Sequence, residues 1–155
     1  MEITLREATE ADLPAILTLY AQLGQDDGKV LSLEAASRIF VRMKTYPDYR
    51  IYIALLNGRI VGTFALLILD NIAHMGTPSA ILEDVVVEEG IRSQGIGRQM
   101  MRHANSLCRE KGCYKMSLTS NRNREAAHRF YESLGFEKHG YSFYMMMNKT
   151  ESETK

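Results

Sequence analysis

Cysteine is scarce in this chain, and that narrows its chemistry. Cys108 and Cys113 are the two it holds among 155 residues, too few for a structural zinc site by themselves. The first residues, Met1-Glu2-Ile3-Thr4-Leu5-Arg6-Glu7, lack the basic-then-apolar layout of a secretory leader. The expectation is therefore two free, reduced core thiols and no resident metal. Long apolar runs are missing too, since none approaches the ~18 residues that a membrane-spanning helix needs. A cytoplasmic protein that does not engage a membrane is expected. There is also no surplus of charge. Lys plus Arg number 19 and Asp plus Glu number 19, which leaves no bulk positive field to hold a nucleic-acid backbone. Neither an internal repeat nor a low-complexity linker is present.

What remains is a chain of ordinary domain size with 45% hydrophobic residues, enough for one core and short for two. The expectation is a single domain over 1–149 with a frayed tail at 150–155. Ile3 and Leu5 alternate with polar neighbours and predict a first strand at Glu2 to Glu7. Thr9 and Asp12 form a capping box, followed by Leu13, Ile16, Leu17, Tyr20 and Leu23 at helical spacing. Gly24 ends that helix. A second amphipathic helix carries Leu33, Ala36, Ile39, Phe40 and Met43, and stops before Pro47.

Arg50 to Leu56 and Arg59 to Leu69 are β-rich runs separated by Asn57-Gly58, the signature of a type I′ hairpin. A fourth strand over Ala80 to Glu88 ends in Val85-Val86-Val87, a run suited to burial on both faces. Ile96, Met100, Ala104, Leu107 and Cys108 predict a third helix closed by Gly112. A strand at Tyr114, Met116 and Leu118, a helix at Ala126 to Leu134 and one or two strands from Phe136 to Met147 complete the order β-α-α-β-β-β-α-β-α-β(β). This is a mixed α+β architecture whose mainly antiparallel sheet carries helices on both faces.

The segment Val85 to Arg98 reads as buried strand, glycine turn and helix start. A helix's first turn has unpaired N–H groups and partial positive charge, and Gly95 and Gly97 let a diphosphate approach the backbone. Arg92 and Arg98 add charge at the rim. Two other nucleotide motifs fail. The dinucleotide fingerprint needs a third glycine where Met100 stands, and the phosphate loop needs Lys after its glycine where Ile96 stands.

Arg92-x-x-Gly95-x-Gly97 after an apolar strand resembles the acetyl-CoA pyrophosphate motif of the GNAT acetyltransferases. Asn123 to Phe136, ending in Phe130-Tyr131 and Gly135-Phe136, is similar to that family's downstream helix, and the resemblance covers nearly the whole chain. It implies a GNAT fold, acetyl-CoA as co-substrate and direct transfer of the acetyl group to a primary amine in a ternary complex. By the same resemblance, strand four splays from strand five and frees the backbone of Val85, Val86 and Val87 for the pantetheine arm, with one N–H placed to stabilise an oxyanion. Arg92, Ser93, Gln94, Gly95, Ile96, Gly97 and Arg98 would cradle the diphosphate. Asn123 and Tyr131 would also meet the cofactor, and Arg122, Arg124 and Arg129 are candidates for its 3′-phosphate.

Tyr131 takes the family's place for the acid that protonates the leaving thiolate. Its reference pKa of ~10 exceeds a thiol's ~8.5, so it holds its proton at neutral pH. The substrate ammonium must lose a proton, at a cost of about 4 to 5 kcal/mol at pH 7 without help. Glu83 is the preferred base, directly or through water, and strand alternation sets Asp84 on the opposite face. Asp84 and His74 remain candidate substrate contacts, while His128 reads as a packing or surface residue. Leu82-Glu83-Asp84-Val85 resembles enzymes acting on aminoalkylphosphonates or glucosamine 6-phosphate. Peptide or protein acceptors stay open, as does a non-catalytic acyl-CoA sensor. The apolar residues of Tyr141 to Met147 suggest a homodimer joined through the C-terminal strands.

Overall fold

The computed structural model describes residues 2–147, which divide between Leu118 and Thr119 into two compact units. The first opens with strand β1 (Ile3–Glu7) and helix α1 (Leu13–Tyr20), joined by a single 3-10 turn at Glu10–Asp12. Asp12 decides that corner. Its carboxylate accepts from the Thr9 backbone N–H at 2.7 Å and from the Thr9 hydroxyl at 2.9 Å, and is held by both Arg6 guanidinium nitrogens at 2.7 and 2.8 Å. Four donors on one buried carboxylate hold its pKa well below the usual range, the Arg6 bond contributing most. Helix α2 (Leu33–Met43) starts at Ser32, whose hydroxyl accepts from the Ala35 amide at 3.2 Å.

Strands β2 (Tyr49–Leu56) and β3 (Arg59–Leu69) turn at Asn57 and Gly58, with φ of +49° and +81°. Two successive positive φ values are what a type I′ turn requires, and this sequence supplies the two residue types that accept them most easily. Strand β4 (Ser79–Val87), helix α3 (Ile96–Glu110) and strand β5 (Lys115–Ser117) follow. The five-stranded sheet runs β1-β2-β3-β4-β5 and is antiparallel except for the parallel β4–β5 pair.

Alternation along β2 and β3 divides the core in two. Ile51, Ile53 and Ala65 pack with Leu13, Ile16, Ala36 and Phe40 of α1 and α2. On the other face Tyr52 stacks on Phe64 and meets the ring of His103 on α3, while Met100 of α3 reaches Gly62. Gly62 is glycine for this reason: a Cβ there would stand 2.8 Å from the Met100 sulfur and 3.2 Å from the Val86 carbonyl oxygen. Cys108 is buried and Cys113 half-buried, and both are free thiols.

The second unit holds helix α4 (Glu125–Glu132). The helix ends in a tight reverse: the amides of Gly135 and Phe136 return to the carbonyls of Glu132 and Tyr131 at 3.1 Å each, and Gly135 has φ +89°. Here the sequence expectation needs correction. Among the described residues, Phe136 to Met147, expected as one or two strands, form none. A period-2 apolar pattern gives a segment one suitable face, but a strand also needs a ladder partner, and none is paired to this segment. From Glu137 on its side chains are exposed, Tyr141 at 92% and Phe143 at 91%. The expected tail at 150–155 lies outside the described residues.

Candidate active site

The site begins as an irregularity in the sheet. Thr63 pairs with Val86 and Ala65 with Glu83, so Phe64 alone faces both Asp84 and Val85. This is a β-bulge, and it places Asp84 at φ +50°, a left-handed conformation uncommon outside glycine and best tolerated by Asn and Asp. The bulge breaks the alternation that would set Glu83 and Asp84 on opposite faces. Ala65, the partner of Glu83, lines a cleft under α1 and α2, and Asp84 lines the same cleft.

That cleft encloses about 440 Å³. Its walls include Leu13, Ile16, Leu17, Phe40 and Met43, and its polar groups include Tyr20, Tyr49 and Asp84. Burial away from water pushes the Asp84 carboxyl above the ordinary aspartate value, and both burial and the Asp84 charge raise Glu83, the more exposed of the two. The Tyr20 phenol is pushed up by burial and then by the Asp84 charge, and the buried Thr63 hydroxyl on β3 donates to the Tyr52 carbonyl at 2.9 Å. A half-buried carboxylate beside two tyrosines in an apolar cleft has the environment of a general base.

Beyond the bulge, β4 is open on one side. Its ladder with β5 covers Ser79 to Ile81 alone, so among the described residues Leu82 to Val87 have no strand partner on that edge. The chain then turns through Glu89–Ile91 into α3. The Arg92 Nε donates to the Val87 carbonyl at 3.1 Å, and its guanidinium pairs with Glu89 at 3.9 Å. The Glu89 amide donates to the Gln22 side chain at 2.9 Å. Arg92 therefore braces the strand-to-helix turn. Ser93 and Gly95 have φ of +67° and +82°, and the first intrahelical bond runs from the Gln99 amide to the Gly95 carbonyl at 3.1 Å. The Ile96 and Gly97 amides precede it and have no carbonyl a turn earlier to bond. A Cβ on Gly95 would meet nothing within 4 Å, so the backbone of this turn is uncrowded beside a helix N-terminus, the kind of place that favours an anion.

Within the second unit, Tyr131 stands on α4 between the rings of Phe130 and Phe136, at centroid distances of 5.2 and 5.6 Å. Burial raises its phenol pKa, with the Arg124 charge opposing.

The family model described as the acetyltransferase (GNAT) family matches residues 15–136. The chain belongs to the GNAT acetyltransferase family. This acetyltransferase is 31% identical over 139 residues to a glucosamine 6-phosphate N-acetyltransferase of Trypanosoma brucei brucei, covering 90% of this chain and 92% of the relative. It is 29% identical to an aminoalkylphosphonate N-acetyltransferase of Salmonella typhimurium, covering 90% and 88%. Among solved structures, a putative acetyltransferase from Agrobacterium tumefaciens superposes with a TM-score of 0.86 at 37% identity, covering 92% and 99%.

In this acetyltransferase the carboxylates sort differently from the sequence reading, because Asp84 lines the cleft and Glu83 is the outer of the two. The exposed His74 lies in the loop before β4, stacked on Tyr114 at 4.3 Å, and does not line the cleft. Asn123 lies one residue before Arg124, the cap of α4; its amide donates to the Asn121 side chain at 2.9 Å. His128 bonds the Asn121 carbonyl at 2.9 Å and so serves the turn. Sequence reasoning does not reach Tyr20 and Tyr49 as site residues. For Tyr20 a signal exists, since a tyrosine within the apolar stripe of a helix needs a partner for its hydroxyl. Tyr49 carries no such signal, because only the pairing of β2 to β3 brings it to the cleft.

Proposed function

We propose that this acetyltransferase uses acetyl-CoA and transfers the acetyl group directly to the primary amine of a small molecule, in a ternary complex, with 1–149 acting as one domain. The bulge at Asp84 carries this reading. This irregularity sets a carboxylate in the lining of the acceptor cleft, and on the other side of β4 the ladder with β5 ends at Ile81. Bound acetyl-CoA supplies an activated thioester. Val85, Val86 and Val87 offer backbone groups to its arm, and the turn from Ser93 to Gly97 receives its diphosphate, with Gln94, Ile96 and Arg98 in the same segment and Arg92 bracing it.

Asp84 takes the ammonium proton as the amine becomes nucleophilic, and Glu83 relays it outward through water. Tyr131 gives its own proton to the departing thiolate and is reprotonated, through solvent, by the second proton that the nitrogen releases as the amide forms. Asn123 contributes from the start of α4. The names of the relatives support a small-molecule acceptor. No metal is needed for these steps. The protein would work in the cytoplasm as a homodimer, free of nucleic acid and membrane.

Thiol release from acetyl-CoA across a panel of amines tests the proposal, with Tyr131→Phe as the informative variant. We expect turnover on small primary amines and a loss of about 10²-fold in kcat for the variant, with the acceptor KM little changed. Tight acetyl-CoA binding without turnover on any amine would instead identify a sensor.

A further inference from the structure

The cleft under α1 and α2 is built for a different acceptor from the phosphorylated amines named for the relatives. This inference rests on the acetyl-transfer reading above and refines its substrate class. The cleft walls combine aliphatic and aromatic side chains from α1, α2, the loop between them and β2, among them Ile16, Leu17, Leu31, Phe40, Met43 and Ile51. The charged groups among the described residues lining it are two carboxylates, Asp26 and Asp84, and one ammonium, Lys29. Asp26 and Lys29 are both exposed, on the loop between the helices. The balance is therefore one net negative charge, with its inner member at the bulge.

A phosphoryl group brings up to two negative charges and is held by arginine or lysine forks and backbone amides. The cleft lining contains no arginine among the described residues, and its one lysine shares the lining with two carboxylates. A primary ammonium ion on a hydrocarbon body matches the lining at both ends. The charge meets Asp84 with the Tyr20 and Tyr49 hydroxyls nearby, and the body displaces water from the apolar walls. We propose that the acceptor is an apolar primary amine, an arylalkyl or branched alkyl amine, read by Asp84 and by the apolar walls of α1 and α2.

The test compares 2-phenylethylamine and 3-methylbutylamine with 2-aminoethylphosphonate and glucosamine 6-phosphate by thiol release, in the full chain and in Leu31→Lys. Leu31 is 49% exposed, so the substitution places a cation in the cleft wall without opening the core. A direct titration of 2-phenylethylamine by calorimetry accompanies the kinetics. The expected result is kcat/KM at least tenfold higher for the apolar amines, with Leu31→Lys lowering it severalfold for them and not for the phosphorylated ones. Equal or higher kcat/KM for the phosphorylated amines overturns the inference and leaves acetyl transfer standing. If no amine releases thiol, the acetyl-transfer reading fails, and the titration then decides the cleft alone. Binding of 2-phenylethylamine that Leu31→Lys weakens sustains the apolar acceptor, whereas no binding overturns it.

Discussion

Asp84 carries two costs at once: a left-handed backbone at φ +50° and a carboxyl raised by burial. Such residues persist where surrounding structure enforces them, often at sites of function. Asp84→Asn separates the two, because Asn tolerates the same backbone but carries no charge. We expect kcat to fall by about 10²-fold or more while the protein becomes more stable at neutral pH. The sign follows from linkage. A carboxyl whose folded pKa lies above its unfolded value of about 3.9 binds its proton more tightly when folded, so it destabilises the native state above that pH. The stability gained in Asp84→Asn should therefore be present at pH 7 and disappear as pH falls below about 4. Urea midpoints across pH read this directly. A variant that loses activity and stability together would mean that Asp84 holds the bulge by its charge.

At the scale of elements, two glycines serve the site for opposite reasons. Gly95, at the N-cap of α3, has φ +82° and open space where a side-chain methyl would stand, so its requirement is conformational. Gly62 on β3 has no positive φ, but a Cβ there would crowd Met100 and the Val86 carbonyl, so its requirement is room between sheet and helix. Gly95→Ala should cost about 1 to 2 kcal/mol, and Gly95→Asn should recover part of this because Asn accepts the left-handed region. Gly62→Ala should cost about 1 to 3 kcal/mol, and Gly62→Asn more, because the added atoms have nowhere to go. Denaturant midpoints for the four variants decide it: equal costs for Asn and Ala at Gly95 would remove the conformational account. The KM for acetyl-CoA should rise in both Gly95 variants, which alter the turn proposed to receive the diphosphate.

For the whole molecule, the balance of charge removes bulk electrostatics as a means of recruiting ligands, and no helix among the described residues is long and apolar enough to cross a membrane. The large apolar surface left in water is the segment carrying Tyr141, Phe143, Tyr144, Met145, Met146 and Met147. Exposed apolar side chains in such number are a feature of association surfaces. Sedimentation should show a dimer, and the double substitution Tyr141→Ser with Phe143→Ser should shift it towards monomer. A monomeric native chain would remove the homodimer from the proposal.

The local elements were legible from residues because their causes are local. Asn57-Gly58 takes two positive φ values with little strain, Thr9 and Asp12 cap each other, and Gly95 and Gly97 open the start of α3. The motif around Arg92 and the pair Phe130-Tyr131 pointed to the family for the same reason, since each lies within one short stretch of chain. Tertiary structure decided what depends on pairing between distant segments. The β3–β4 register alone creates the bulge that turns Asp84 into the cleft, and it does so against the alternation that favours Glu83. The approach of α1 to the sheet brings Tyr20 to that carboxylate, and the pairing of β2 to β3 brings Tyr49. Among the described residues no ladder partner meets Glu137 to Met147, and the segment forms no strand despite an apolar pattern suited to one. Sequence determines which conformations each residue can take at low cost, whereas charges and hydroxyls meet only where the strand ladder and helix packing bring them together.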